Sequence, residues 1–70
     1  MADQGLDGLR SRLEEIAEEI ASIGYARLQE AIETSSSRAA AQERQLSRAR
    51  RSVLKAASLL AAADADRSSE

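Results

Sequence analysis

The chain contains no cysteine, no histidine and no proline, and Tyr25 is its only aromatic residue. Without cysteine there is no disulfide framework, and without cysteine or histidine the usual zinc ligands are missing. General acid–base chemistry would then rest on carboxylates or lysine with pKa values shifted by burial. The one lysine, Lys55, falls in a hydrophilic stripe, and the serines have no histidine to activate them. Glycine occurs only at 5, 8 and 24, a spacing that makes no phosphate-cradling loop. No apolar run approaches the ~18 residues of a membrane span. The opening Met-Ala-Asp-Gln-Gly lacks the basic and apolar regions of a signal peptide. These absences predict a cytoplasmic, non-enzymatic protein that needs no cofactor and acts on no small-molecule substrate.

What is present favours helix. Alanine fills 15 of the 70 positions, glutamate, arginine and leucine are frequent, and strand formers are reduced to one valine and one threonine. In the first half, Leu9, Leu13, Ile16, Ile20 and Ile23 recur at steps of four, three, four and three. Beyond Gly24 the stripe broadens through Leu28, Ala31 and Ile32. In the second half, Leu46, Ala49, Val53, Ala56, Leu60 and Ala63 keep the same rhythm, the spacing of a coiled-coil contact. Between them stands Thr34-Ser35-Ser36-Ser37, a run that competes with helical backbone bonds and favours caps.

These signals predict an all-α, antiparallel two-helix hairpin: helix 1 over about 7–33, a turn at about 34–37 and helix 2 over about 38–63. Residues 1–6 are expected to fray. Residues 64–70 are expected to form a disordered acidic tail, because Asp64 and Asp66 oppose the negative end of a helix dipole. The rival arrangement is one continuous helix, which would bring Ser35, Arg38 and Gln42 onto the apolar seam. A turn near Ser36 sets Ile23 near Ala49, Ile16 near Ala56 and Leu9 near Ala63, large residues against small ones. Gly24 then suggests a close approach of the neighbouring helix.

Charge is divided along the chain. Residues 1–33 hold eight acidic and three basic residues, net −5, whereas residues 34–63 hold one acidic and six basic, net +5. Opposite halves of this kind suit helices lying side by side, within one chain or between copies.

Glu14, Glu15, Glu18 and Glu19 form the only cluster that resembles a catalytic or metal site. Di-iron bundles need inward Glu plus Glu-x-x-His, so a solvated acidic face is the favoured reading, with an ion held between subunits as the alternative. Arg44, Arg48, Arg51 and Lys55, with Arg50 at the edge, draw a basic stripe down helix 2. That stripe can be solvated or paired between subunits, can meet an acidic protein, or can track a phosphate backbone. A pI near 5.1 and the absence of aromatic platforms weigh against nucleic acid. Arg27 lies in the seam of helix 1, where it either reaches out to water or bonds Glu43 across the turn end.

A seam that is half alanine supplies too little apolar burial to order so small a chain alone. Leu54, Leu59, Tyr25 and Ile32 lie off the seam and are the candidate partner contacts. They point to a homodimer forming a four-helix bundle, or to docking on a larger protein. The expected role is a protein–protein interaction, assembly or regulatory module; the runner-up is a small nucleic-acid-associated protein using the basic stripe. Leu-Arg-x-Arg-Leu-Glu-Glu-Ile-Ala-Glu-Glu over residues 9–19, with Leu-Ser-Arg-Ala-Arg-Arg-Ser-Val-Leu-Lys-Ala-Ala over 46–57, resembles short, uncharacterised helical-hairpin proteins of actinobacteria. The resemblance implies the hairpin and carries no function with it.

Overall fold

The computed structural model describes residues 4–68. Two helices, α1 (Gln4–Thr34) and α2 (Ser37–Ser68), pack against each other as a hairpin, so the single continuous helix is set aside. The turn is two residues long and its chemistry is local. Ser35 adopts φ 54°, the left-handed conformation that ends a helix and that glycine usually supplies. Ser36 caps α2: its hydroxyl oxygen accepts from the backbone N–H of Ala39 at 3.0 Å, and its carbonyl accepts from Ala40 at 3.2 Å. Thr34 Oγ1 donates to the Glu30 carbonyl, one turn back in α1, at 2.7 Å.

Both helices outrun their expected ends. Residues 4–6, expected to fray, are the first residues of α1, and residues 64–68, expected as tail, are the last of α2. The remaining residues of those two predicted segments lie outside the described range. Alanine at 61–63 and 65, with no glycine or proline to intervene, favours continuing α2. The antiparallel arrangement also sets Asp64 and Asp66 at the same end as the start of α1. The positive pole of one helix there offsets acidic residues at the negative pole of the other.

The seam between the helices is not the one read from apolar periodicity. On α1 the inward residues are Leu13, Ala17, Ile20, Gly24, Arg27 and Ala31, at steps of four, three, four, three and four. Leu9, Ile16 and Ile23, expected inside, remain 42%, 43% and 52% exposed. On α2, Ala39 and Ala57 are buried while Ala49 and Ala63, expected inside, are exposed. Leu46, Val53, Ala56 and Leu60 are half-buried. Across the seam Gly24 lies against Leu46, within two residues of the level the expected pairing gives it.

The reason is size. The separation of packed helices follows the side chains at the contact. Closing on Ala17, Gly24, Ala39 and Ala57 brings the axes together, whereas a contact line of Leu and Ile would hold them apart. The cost is a thin core: among the described residues the buried apolar side chains are Ala17, Ala39 and Ala57, and no large side chain is fully buried. The molecule measures 54 × 17 × 11 Å. Among the described residues α1 and α2 lie side by side with no third element across them. The hairpin is therefore a single layer with two open faces, whereas domains are ordinarily built from two or more packed layers.

Candidate interaction surface

Helical periodicity divides the residues outside the seam between those two faces. Leu9, Ile16 and Ile23 follow one another at intervals of seven on α1, and Ala49, the half-buried Ala56 and Ala63 do the same on α2. A shallow hollow near the turn shows that these two rows share a side: Ile23 and Arg27 line it from α1, with Gln42, Gln45 and Leu46 from α2. Gln42 is one heptad before Ala49, so the alanine row continues directly from this hollow. Leu59, 61% exposed, lies two heptads beyond Gln45 and belongs to the rim of the same side.

The opposite side is more mixed. Its hollow is lined by Ala21, Tyr25 and Leu28 from α1 and by Ser47 and Arg50 from α2. Ile32, 72% exposed, follows Tyr25 by one heptad, and Leu54 follows Ser47 by one. The Tyr25 hydroxyl accepts a bond from Gln29 Nε2 at 3.4 Å, so its polar end is served within its own helix. The four candidate contacts thus do not form one patch. Leu59 is on the first side, Tyr25 and Ile32 are on the second, and Leu54 is half-buried at the edge of the hairpin seam.

The charged groups are arranged mostly along their own helices. Arg10 bonds Asp7 and, at 3.1 Å, Glu14; the hydrogen bond and charge of Asp7, with Glu14 adding to them, hold its pKa above the ordinary arginine value. Arg27 pairs with Glu30 at 3.5 Å, one turn along α1, and not with Glu43 across the hairpin. Its Nε is covered and lacks a hydrogen-bond partner among the described residues. Glu15, Glu18 and Glu19 line an open outer surface with Ser22. Among the described residues no three acidic groups come together in a way that holds a metal ion.

Arg44, Arg48, Arg51 and Lys55 are all exposed, as is Arg50. Arg44, Arg48 and Arg51 border a shallow strip with Glu43 and Ser47 on the outer side of α2. No ion pair engages these five cations among the described residues. The stripe is a solvated surface in the isolated hairpin.

The exposed row of Leu9, Ile16 and Ile23 was the part of the surface hidden from periodicity. Periodicity places its residues in the hairpin seam, because a stripe's spacing does not reveal which of its edges a neighbouring helix covers. The available signal was size: the strongest apolar residues of α1 and the small residues Ala17 and Gly24 lie on adjacent lines. No helix among the described residues is long and apolar enough to cross a membrane. No protein family, curated protein or solved structure matches the chain.

Proposed function

We propose that this chain is a non-catalytic assembly module of the cytoplasm, a helical hairpin that completes its fold by associating with a second copy of itself. The observation carrying this reading is the thin core: a layer one helix thick, with alanine at its buried positions and Leu and Ile on its surface. Covering such a layer with another pair of helices gives a four-helix bundle, the simplest closed arrangement for helices of this length. Small chains without disulfides or metals commonly gain stability by oligomerising. Sedimentation velocity over a concentration series tests the reading. The expected mass is that of a dimer at micromolar concentration, and a folded, strictly monomeric species at high micromolar concentration would refute it.

A second reading is favoured by one observation, the exposed cations Arg44, Arg48, Arg51 and Lys55 of α2, none of them in an ion pair among the described residues. They run along the outer side of the helix, where bundle formation leaves them accessible to an anionic partner such as duplex nucleic acid. Binding that weakens steeply with salt would support this role, and absence of binding at low salt would remove it.

A further inference from the structure

The two apolar stripes are displaced from the hairpin seam by the same amount and toward the same side. On α1 the stripe runs along Leu9, Leu13, Ile16, Ile20 and Ile23, and the seam along Leu13, Ala17, Ile20, Gly24 and Arg27. On α2 the stripe shares Leu46, Val53 and Leu60 with the seam, but its Ala49 and Ala63 are exposed, while Ala57, on the other edge, is buried. Each offset is about 50°, half the ~100° step between successive residues. In an isolated helix pair the stripes would point at each other. In a four-helix bundle they point between two neighbours, toward a common axis. The sequence is thus patterned for the axis of a bundle, while the hairpin contact occupies only one shoulder of each stripe.

The amount of open surface agrees. The chain of 7.5 kDa exposes 5295 Å², whereas a compact monomer of that mass exposes about 4,200 Å². Its radius of gyration is 16.1 Å, against about 11 Å for a globular chain of this length. The excess of about 1,000 Å² exceeds the ~800 Å² that each partner contributes to a standard interface.

Size and charge then select the orientation. Two hairpins stacked by this face have two symmetric arrangements: α1 on the partner's α2, with both turns at one end, or α1 on the partner's α1, with turns at opposite ends. The second sets Leu9, Ile16 and Ile23 against their own copies and leaves alanine facing alanine on α2, an uneven interface. It also stacks like charges, because α1 carries seven acidic and three basic residues, net −4, and α2 seven basic and three acidic, net +4. The first arrangement meets large with small and acidic with basic. Glu33, exposed and acidic, then comes level with Arg38 of the partner subunit.

We infer that the face bearing Leu9, Ile16 and Ile23 is closed by a second copy of this chain, α1 of each lying antiparallel on α2 of the other. Ile23 then packs by Ala49 of the partner subunit, Ile16 by the partner's Ala56 and Leu9 by the partner's Ala63. The pairing that periodicity implies within the chain is made between chains. This inference rests on the self-association proposed above and adds its face, axis and register.

The absence of native cysteine makes the test clean, since every disulfide formed is an introduced one. Ile23→Cys and Ala49→Cys chains, both altered at exposed positions and checked for helicity, are mixed and oxidised. The disulfide-linked heterodimer is expected severalfold above either homodimer, because a disulfide needs Cβ atoms within about 3.5–4.5 Å. Glu19→Cys, near the middle of α1, reports the rival stacking by linking to itself. A spin label on Ser37→Cys should give a short distance between the two turns, against about 45 Å or more when the turns lie a helix length apart. A dimer by sedimentation with no mixed disulfide, a self-linked Glu19→Cys, or a long turn-to-turn distance overturns the face or the axis and leaves self-association standing. A monomer at every concentration overturns both.

Discussion

Gly24 of α1 rests against Leu46 of α2, and a Cβ built on the glycine would stand 3.9 Å from the leucine Cβ. That is ordinary van der Waals contact. The helices approach closely here, yet leave room for a methyl group. Glycine inside a helix costs about 1 kcal/mol relative to alanine. Gly24→Ala is therefore expected to stabilise the fold by up to about 1 kcal/mol, raising Tm in a thermal melt followed by circular dichroism. A fall in Tm would mean that the helices sit nearer than this contact indicates.

The turn offers a pair of opposite effects at neighbouring serines. Ser35 holds a left-handed backbone at φ 54°, a conformation that costs a non-glycine residue about 1–2 kcal/mol. Ser35→Gly should raise stability. Ser36 supplies the cap of α2, and Ser36→Ala should lower stability by about 1 kcal/mol, with Ser36→Gly costing only a few tenths. Urea unfolding of the three variants, compared at constant m-value and chain concentration, reads these differences directly. Equal effects at both positions would contradict the assigned roles.

The two faces predict different responses to charge. A glutamate at Ile16 or Ile23 would be drawn into an apolar interface, at a cost of about 2 kcal/mol or more, or roughly 30-fold in the dimer Kd. Ile32→Glu, on the other side and already 72% exposed, should leave the Kd nearly unchanged. Sedimentation equilibrium distinguishes the three chains. Weakening by Ile32→Glu alone would move the interface to the face of Tyr25 and Leu28.

For the basic stripe, the expectation is that self-association survives its loss. Replacing Arg44, Arg48, Arg51 and Lys55 by glutamine should preserve the apolar contact, since these side chains are exposed and lie away from the apolar face, while removing the charge preference for α1 on the partner's α2. Fluorescence anisotropy with duplex DNA between 50 and 200 mM salt examines the alternative role; these concentrations span roughly the range over which phosphate contacts are read. Should binding appear, each lost phosphate contact would reduce the salt slope by about 0.9.

Much of this architecture is legible in residue types. Alanine-rich halves without proline specify helix, and the serine run at 34–37 marks the reversal, because those side chains serve ends better than interiors. Asp64 and Asp66 are a weaker guide: read as isolated residues at a helix end they argue for stopping, whereas the alanines around them and the start of α1 at the same end favour continuing α2 to Ser68. Leu59, Tyr25 and Ile32 were recognisable as surface residues from their position off the stripe, whereas Leu54 was not recognisable as half-buried.

The sequence by itself determined two helices, a turn capped by serine, an acidic and a basic half, and an apolar stripe on each helix. These follow from local backbone preferences and from the fixed periodicity of an α-helix. Tertiary structure alone decided which shoulder of each stripe the hairpin uses, since that choice depends on how near two helix axes can come. Ala17, Gly24, Ala39 and Ala57 permit the closest approach and take the contact. Leu9, Ile16 and Ile23 are left on the open face by the same packing.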